Sequence, residues 1–283
     1  MNQILKEANL LIQQTDRFKD MLIQVIYNYQ KKEPQVTIAN LLSYMISDRT
    51  LDYPTKKLMN RRSDELYGLS SQCRISSFGH LHQFELRFKT LNPSFLADKS
   101  IEDVISFIES IILRPLLNES SFMEAKKNLK LALLRIQDNP NIMGVRLAAQ
   151  AISEEEPLSV YSQGSLELLE TIKLNDVIEF HHSLIQLQPS IVISSDRIIN
   201  LDSLINKLGI KQSNTQQSVY CFPNKKLKTA TMDRDIVQST LTQLYSSQIS
   251  LMSKNYYALR ILTMVLGQLP SSIFFQEIRE KHS

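Results

Sequence analysis

Two alternating runs constrain this chain most. Residues 20–30 read "DMLIQVIYNYQ", and residues 80–90 read "HLHQFELRFKT". A period of two belongs to a β-strand with one dry face. In the first run Met21, Ile23, Val25, Tyr27 and Tyr29 share that face. In the second, His82, Phe84, Leu86 and Phe88 oppose Gln83, Glu85, Arg87 and Lys89. "SQCRISS" before the turn signal "SFG" supplies a hairpin partner, and "SIVISSD" reads as a short buried strand. A sheet with one apolar face needs cover from another layer.

Helical periodicity supplies that cover. "ANLLSYMI" (Ala39–Ile46) begins one helix, and "KKLMNRRSDELYG" makes a second with Gly68 as its C′ residue. In "SIEDVISFIESIIL", Ile101, Val104, Ile105, Ile108 and Ile112 form a stripe, with Ser100 and Asp103 as a capping box. "SFMEAKKNLKLALLRIQDN" aligns Phe122, Ala125, Leu129, Ala132, Leu133 and Ile136. A break at Pro140 precedes the helix "NIMGVRLAAQAIS". After the loop "EEEPLSVYSQGS" come "LELLETI", "NDVIEFHHSLIQL" and "LDSLINKLG", the last closed by Gly209. The expected class is α+β, an antiparallel sheet with helices on one face.

The order then recurs. Strand "MLIQVIYNY", helix "ANLLSYMI", a proline loop and helix "KKLMNRRSDEL" are followed, much later, by strand "DIVQSTLTQLY", helix "YALRILTMVLG", the Pro270 loop and helix "SSIFFQEIREK". The polar "IKQSNTQQS" between them reads as a linker. An internal duplication is expected, with one unit over residues 1–212 and a second, homologous and incomplete unit over 213–283. The strands missing from the second copy lie in a longer protein or in another chain.

Composition narrows the function classes. At 283 residues and 43% hydrophobic content the chain buries a large core. A net charge of +3 without a basic block gives no reason to expect a nucleic acid partner. No membrane span and no secretion signal are read from it. Cys73 and Cys221 are far apart and lack CxxC spacing, which argues against a disulfide framework and for a cytoplasmic setting. Six glycines and no GxGxxG or GxxxxGK[ST] leave no phosphate loop.

Several polar groups could carry chemistry. Asn40, Ser43 and Tyr44 stand at i, i+3 and i+4 and share one helix face, as a buried helix with a few polar members also would. His80 and His82 form His-x-His on a strand, a weak alternative metal site without a third ligand nearby in sequence. His181 and His182 diverge on a helix and read as one partly buried and one surface histidine. Glu154 to Glu156 read as a solvated turn, Ser271 and Ser272 as an N-cap, and Asp64 and Glu65 as helix-surface charges.

The chain resembles the insulinase/pitrilysin zinc-peptidase family, and more narrowly its bacterial non-catalytic members. The stretches that carry this are "TDRFKDMLIQV", "DYPTKKLMNRRSDELYGLS", "QDNP", "PLSVYSQGSLELLETI" before "NDVIEFHH", and "LGQLPSSIFFQEIREKHS". They run over nearly the whole chain in family order. "LPSSIFFQEIREK" is the sharpest, although Gln268 and Leu269 stand where a small pair is usual. The family's inverted motif, His-x-x-Glu-His, places two zinc ligands and a general base on one helix, and a later glutamate completes the set. By this resemblance the first histidine falls on Asn40, the glutamate on Ser43, the second histidine on Tyr44, and the later glutamate on Ala132. None of the four is a good zinc ligand or a general base at neutral pH. No metal and no cofactor are therefore expected.

What the resemblance implies is a catalytically inactive homologue. It would act as the non-catalytic subunit of a heterodimer with an active zinc-peptidase paralogue, enclosing a peptide substrate between them. The readings kept beside it are a stand-alone peptide- or protein-binding module, and an active metallopeptidase using an unrecognised site such as His80 and His82.

Overall fold

The computed structural model describes residues 3–7, 9–96, 98–152, 157–209, 228–235, 239–245, 247 and 249–281. Its centre is the first alternating run, β3 (Asp20–Gln30), paired antiparallel with β5 (Leu81–Leu91). With β1 (Gln3–Glu7), β2 (Leu10–Gln14), β4 (Ser70–Phe78) and β6 (Ser190–Ser195) they form one sheet in the order β1-β2-β6-β3-β5-β4. The register follows the pleat. Ile23 lies opposite Phe88 and Ile193, Val25 opposite Leu86 and Ile191, and Tyr27 opposite Phe84. All eight are at most 2% exposed. A slip by one residue would turn that apolar set away from the core and bring Gln24, Gln83 and Arg87 in.

Helices cover the dry face. α1 (Gln35–Met45) buries Val36, Ile38, Ala39, Leu41, Leu42 and Met45. It packs against α4 (Glu119–Gln137), α6 (Leu166–Thr171) and α7 (Leu174–Ile185), and also against β4. So many buried positions on one short helix mean that α1 is surrounded, not merely docked. Each fully buried leucine there contributes about 1.5–3 kcal/mol of transfer energy. α2 (Lys56–Glu65) turns only Met59 fully inward. α3 (Asp98–Leu113), α5 (Pro140–Ile152) and α8 (Asp202–Lys207) complete the layer. Buried Glu109 on α3 accepts from Ser203 and Lys207 and so ties α8 to α3.

The α+β class holds, with some corrections of detail. The β1–β2 hairpin was not read from sequence, and β2 runs parallel to β6, so the sheet is not wholly antiparallel. α2 ends with Tyr67, not Gly68, at C′. Tyr67 has φ 59° and Gly68 follows at φ 70°, so two successive residues take left-handed geometry. α3 starts at Asp98, which puts Ser100 inside the first turn instead of at the cap. α4 has its own capping box, between Asn118 and Ser121.

The chain divides into two units, residues 1–218 with 228–242, and residues 219–227 with 243–283. The smaller unit contains α9 (Tyr256–Thr263), which continues through a π turn, and a second helical stretch from Ile273 to Lys281. Ser272 caps that stretch, accepting the Phe275 N–H at 3.4 Å. The strand expected over "DIVQSTLTQLYSS" is not formed at residues 239–245 or 247, where Leu241 and Tyr245 are 84% and 81% exposed. A strand needs a neighbour for its backbone groups, and none is paired with it among the described residues. The linker segment, Cys221, His282 and Glu154 to Glu156 lie outside the described residues.

Candidate functional site

The helix face that raised the question, on α1, is turned partly into the protein. Asn40 is 9% exposed, and its Nδ2 donates to the Val36 carbonyl at 2.8 Å and the Ser162 carbonyl at 2.9 Å. Both amide hydrogens are thus spent on backbone. Ser43 donates back to the Asn40 carbonyl at 2.7 Å, the local bond that serines make within helices. Tyr44 is 43% exposed. Ala132 is half-buried on α4.

A loop between α5 and α6 crosses this helix. Ser162 Oγ lies 2.7 Å from Ser77 Oγ at the end of β4, in addition to receiving Asn40. Three residues on, Ser165 N–H donates to Thr37 Oγ1 at 2.9 Å, and Thr37 donates in turn to Glu33 Oε2 at 2.9 Å. Between them Gly164, at φ 90°, lies so close to Thr37 that a Cβ would come within 2.7 Å of its Oγ1. The loop is also held from α5, where Arg146 stacks on Tyr161 at 5.2 Å. Glycine was read here only as loop composition. The contact that requires it comes from a residue 127 positions earlier, so no local signal could have revealed it.

Behind the loop lies a buried polar cluster. His82 is fully buried. Its Nδ1 is 2.8 Å from the Tyr29 hydroxyl. Burial, reinforced by Lys31, lowers its pKa from the ordinary histidine value to about 4, against a weaker pull from the Ser162 backbone. Burial likewise depresses Lys31, raises Glu33, and pushes the Tyr29 phenol far up. His80 sits in the hairpin turn, outside β5, so it does not share a strand face with His82 as His-x-His spacing implied. His181 is buried with Nε2 2.8 Å from the Ile112 carbonyl, while His182 is exposed. Glu65 pairs with Arg61 and Arg62 on the helix surface.

The residues that the resemblance places at the zinc-motif positions do not fit a metal. Asn40 aims donors at backbone carbonyls, Ser43 donates to its own helix, and Ala132 has no ligand atom. Among the described residues no three His, Cys, Asp or Glu side chains gather closely enough to hold an ion. No catalytic step is therefore derived through zinc.

No family model matches the chain. Over 96% of its length it is 22% identical to "Probable inactive metalloprotease YmfF" of Bacillus subtilis, and it spans 67% of that protein. The chain is thus similar to a probable inactive metalloprotease. Solved structures agree on the fold. A conserved protein from Enterococcus faecalis V583 matches 99% of the chain and 69% of its own length, with TM-score 0.80 and 20% identity. A peptidase M16 inactive domain from Pseudomonas fluorescens matches 99% of the chain and 68% of its own, at 0.66 and 12%. Pitrilysin itself matches 77% of the chain and 24% of its own, at 0.52 and 15%.

Proposed function

We propose that the chain is the non-catalytic half of a peptide-processing pair whose other half is an active zinc peptidase. The observation that carries this is the state of α1. The helix keeps its central place against β4, α4, α6 and α7, while its motif face is spent on helix and loop backbone. A fold retained around a site without ligands serves by its surfaces. One such surface is β4, which pairs only with β5 among the described residues and so offers an open sheet edge. An extended peptide adds to such an edge through main-chain hydrogen bonds. In the pair this half supplies wall and specificity, and its partner supplies metal and base. The setting is the cytoplasm, and residues 213–283 begin a second, homologous unit.

Affinity capture of the protein from its native cells, with mass spectrometry of what accompanies it, tests the pairing. A peptidase with an intact His-x-x-Glu-His motif recovered in near-equal amount supports it. Recovery without any peptidase removes it. The same open β4 edge favours a second reading, a stand-alone peptide-binding module.

A further inference from the structure

We propose that the larger unit holds a second, separate site that binds a short zwitterionic peptide, in the pocket between the β3–α1 junction and α7. The site does not depend on a peptidase partner. The cavity has a volume of about 410 Å³ and is bounded on one side by Tyr29, Lys32, Gln35 and Ile38, and on the other by α7. That volume lies in the range of small-molecule sites.

Three features define what fits. Much of the lining is apolar, made by Tyr29, Ile38, Phe180, Leu184 and Leu187. Tyr29 and Phe180 meet edge to face at 5.4 Å, which fixes both rings. On the α7 wall stand Asp176 and Glu179, one helical turn apart. Asp176 takes the Lys173 N–H through Oδ2 at 2.8 Å, and Glu179 takes the Asn175 amide through Oε1 at 2.6 Å. Each carboxylate keeps its second oxygen for another donor. On the facing wall Lys32 is exposed and cationic.

Gln35 supplies the third feature. Its Oε1 is buried without a hydrogen-bond partner, although the residue lines the pocket. A buried acceptor left unmade is costly, and a ligand N–H would satisfy it. Acid on one wall, base on the other, a largely apolar lining and an idle acceptor match a peptide of two or three residues. Its ammonium meets Asp176 and Glu179, its carboxylate meets Lys32, an amide N–H meets Gln35, and an aliphatic side chain lies on the apolar lining.

The test uses L-leucyl-L-leucine as probe and the ¹⁵N-labelled full chain, followed by amide chemical shifts. The expected result is saturable shifts centred on Gln35, Phe180 and Leu184, with Kd of roughly 1 mM or tighter. N-acetyl-leucyl-leucine and leucyl-leucine amide, each lacking one charge, should bind roughly tenfold more weakly. The same loss is expected for wild-type probe on Lys32→Gln and on Asp176→Asn with Glu179→Gln. Asparagine at 176 retains an acceptor for the Lys173 N–H, so the helix start is kept. Absence of saturable shifts, shifts that map elsewhere, or blocked peptides binding as well as the free one overturn the site. Because the blocked analogues act on the unaltered protein, the outcome stands even if a variant fails to fold. Pairing with a zinc peptidase could fail without affecting any of these readouts.

Discussion

His82 couples the folded state to pH. Its folded pKa of about 4 lies below the ordinary 6.5 because the imidazolium would be buried near Lys31. Between those two values the unfolded chain binds a proton that the folded chain does not. Stability therefore falls as pH drops from about 6.5 towards 4, by up to ~3 kcal/mol, and is fully present at neutral pH. His181, depressed chiefly by burial, acts in the same direction. Urea denaturation at pH 7 and pH 4.5 checks this. His82→Gln, which still offers Tyr29 an acceptor, should show a smaller drop than the wild type. Gly164 gives a second residue-scale prediction. Gly164→Ala meets both the left-handed backbone and Thr37, and should cost about 1–3 kcal/mol. Gly68→Ala, with nothing within 4 Å, pays for backbone alone and should cost less, about 1 kcal/mol. Urea midpoints of the two variants rank them.

Among elements, α1 separates what sequence makes legible from what it hides. Alternation placed β3 and β5 and their inward faces, since period and burial share one cause in a one-sided sheet. The β1–β2 hairpin stayed hidden because its strands are short and their apolar residues do not alternate. β2 shows only Ile12 fully buried. The replaced motif face was legible in Asn40, Ser43 and Tyr44 once the family resemblance gave them meaning. The loop that crosses it was not, because hydrogen bonds such as Asn40 to Ser162 join residues 122 positions apart. This loop gives a prediction. Restoring Asn40→His, Ser43→Glu and Tyr44→His together should not create a tight zinc site. Ala132 offers no ligand, and the loop backbone already occupies the face at Asn40. Removing Asn40's two buried bonds should also cost about 1–3 kcal/mol. Titration with zinc against a chelator, beside a urea curve, measures both. Zinc binding of ordinary structural-site strength in that variant would refute the account of the loop.

For the whole molecule, large apolar side chains of the smaller unit stand exposed. Tyr257, Ile261, Leu262 and Ile278 are 77%, 62%, 51% and 65% exposed. Such residues on one amphipathic helix and its successor mark a surface made for cover. Replacing Tyr257, Ile261 and Ile278 by lysine should reduce binding of a hydrophobic dye without moving the unfolding midpoint of the larger unit. The chain spans 67% of the Bacillus subtilis protein and 69% of the Enterococcus faecalis structure.

We propose that the protein keeps a peptidase-like fold and works through a catalytic partner. A peptide-cleavage assay tests it most directly, run on the purified chain with added zinc, on the partner peptidase recovered with it, and on the two mixed. The account predicts no cleavage by the chain alone and cleavage by the mixture that exceeds the partner's own rate. Cleavage by the pure chain that a chelator abolishes would contradict it.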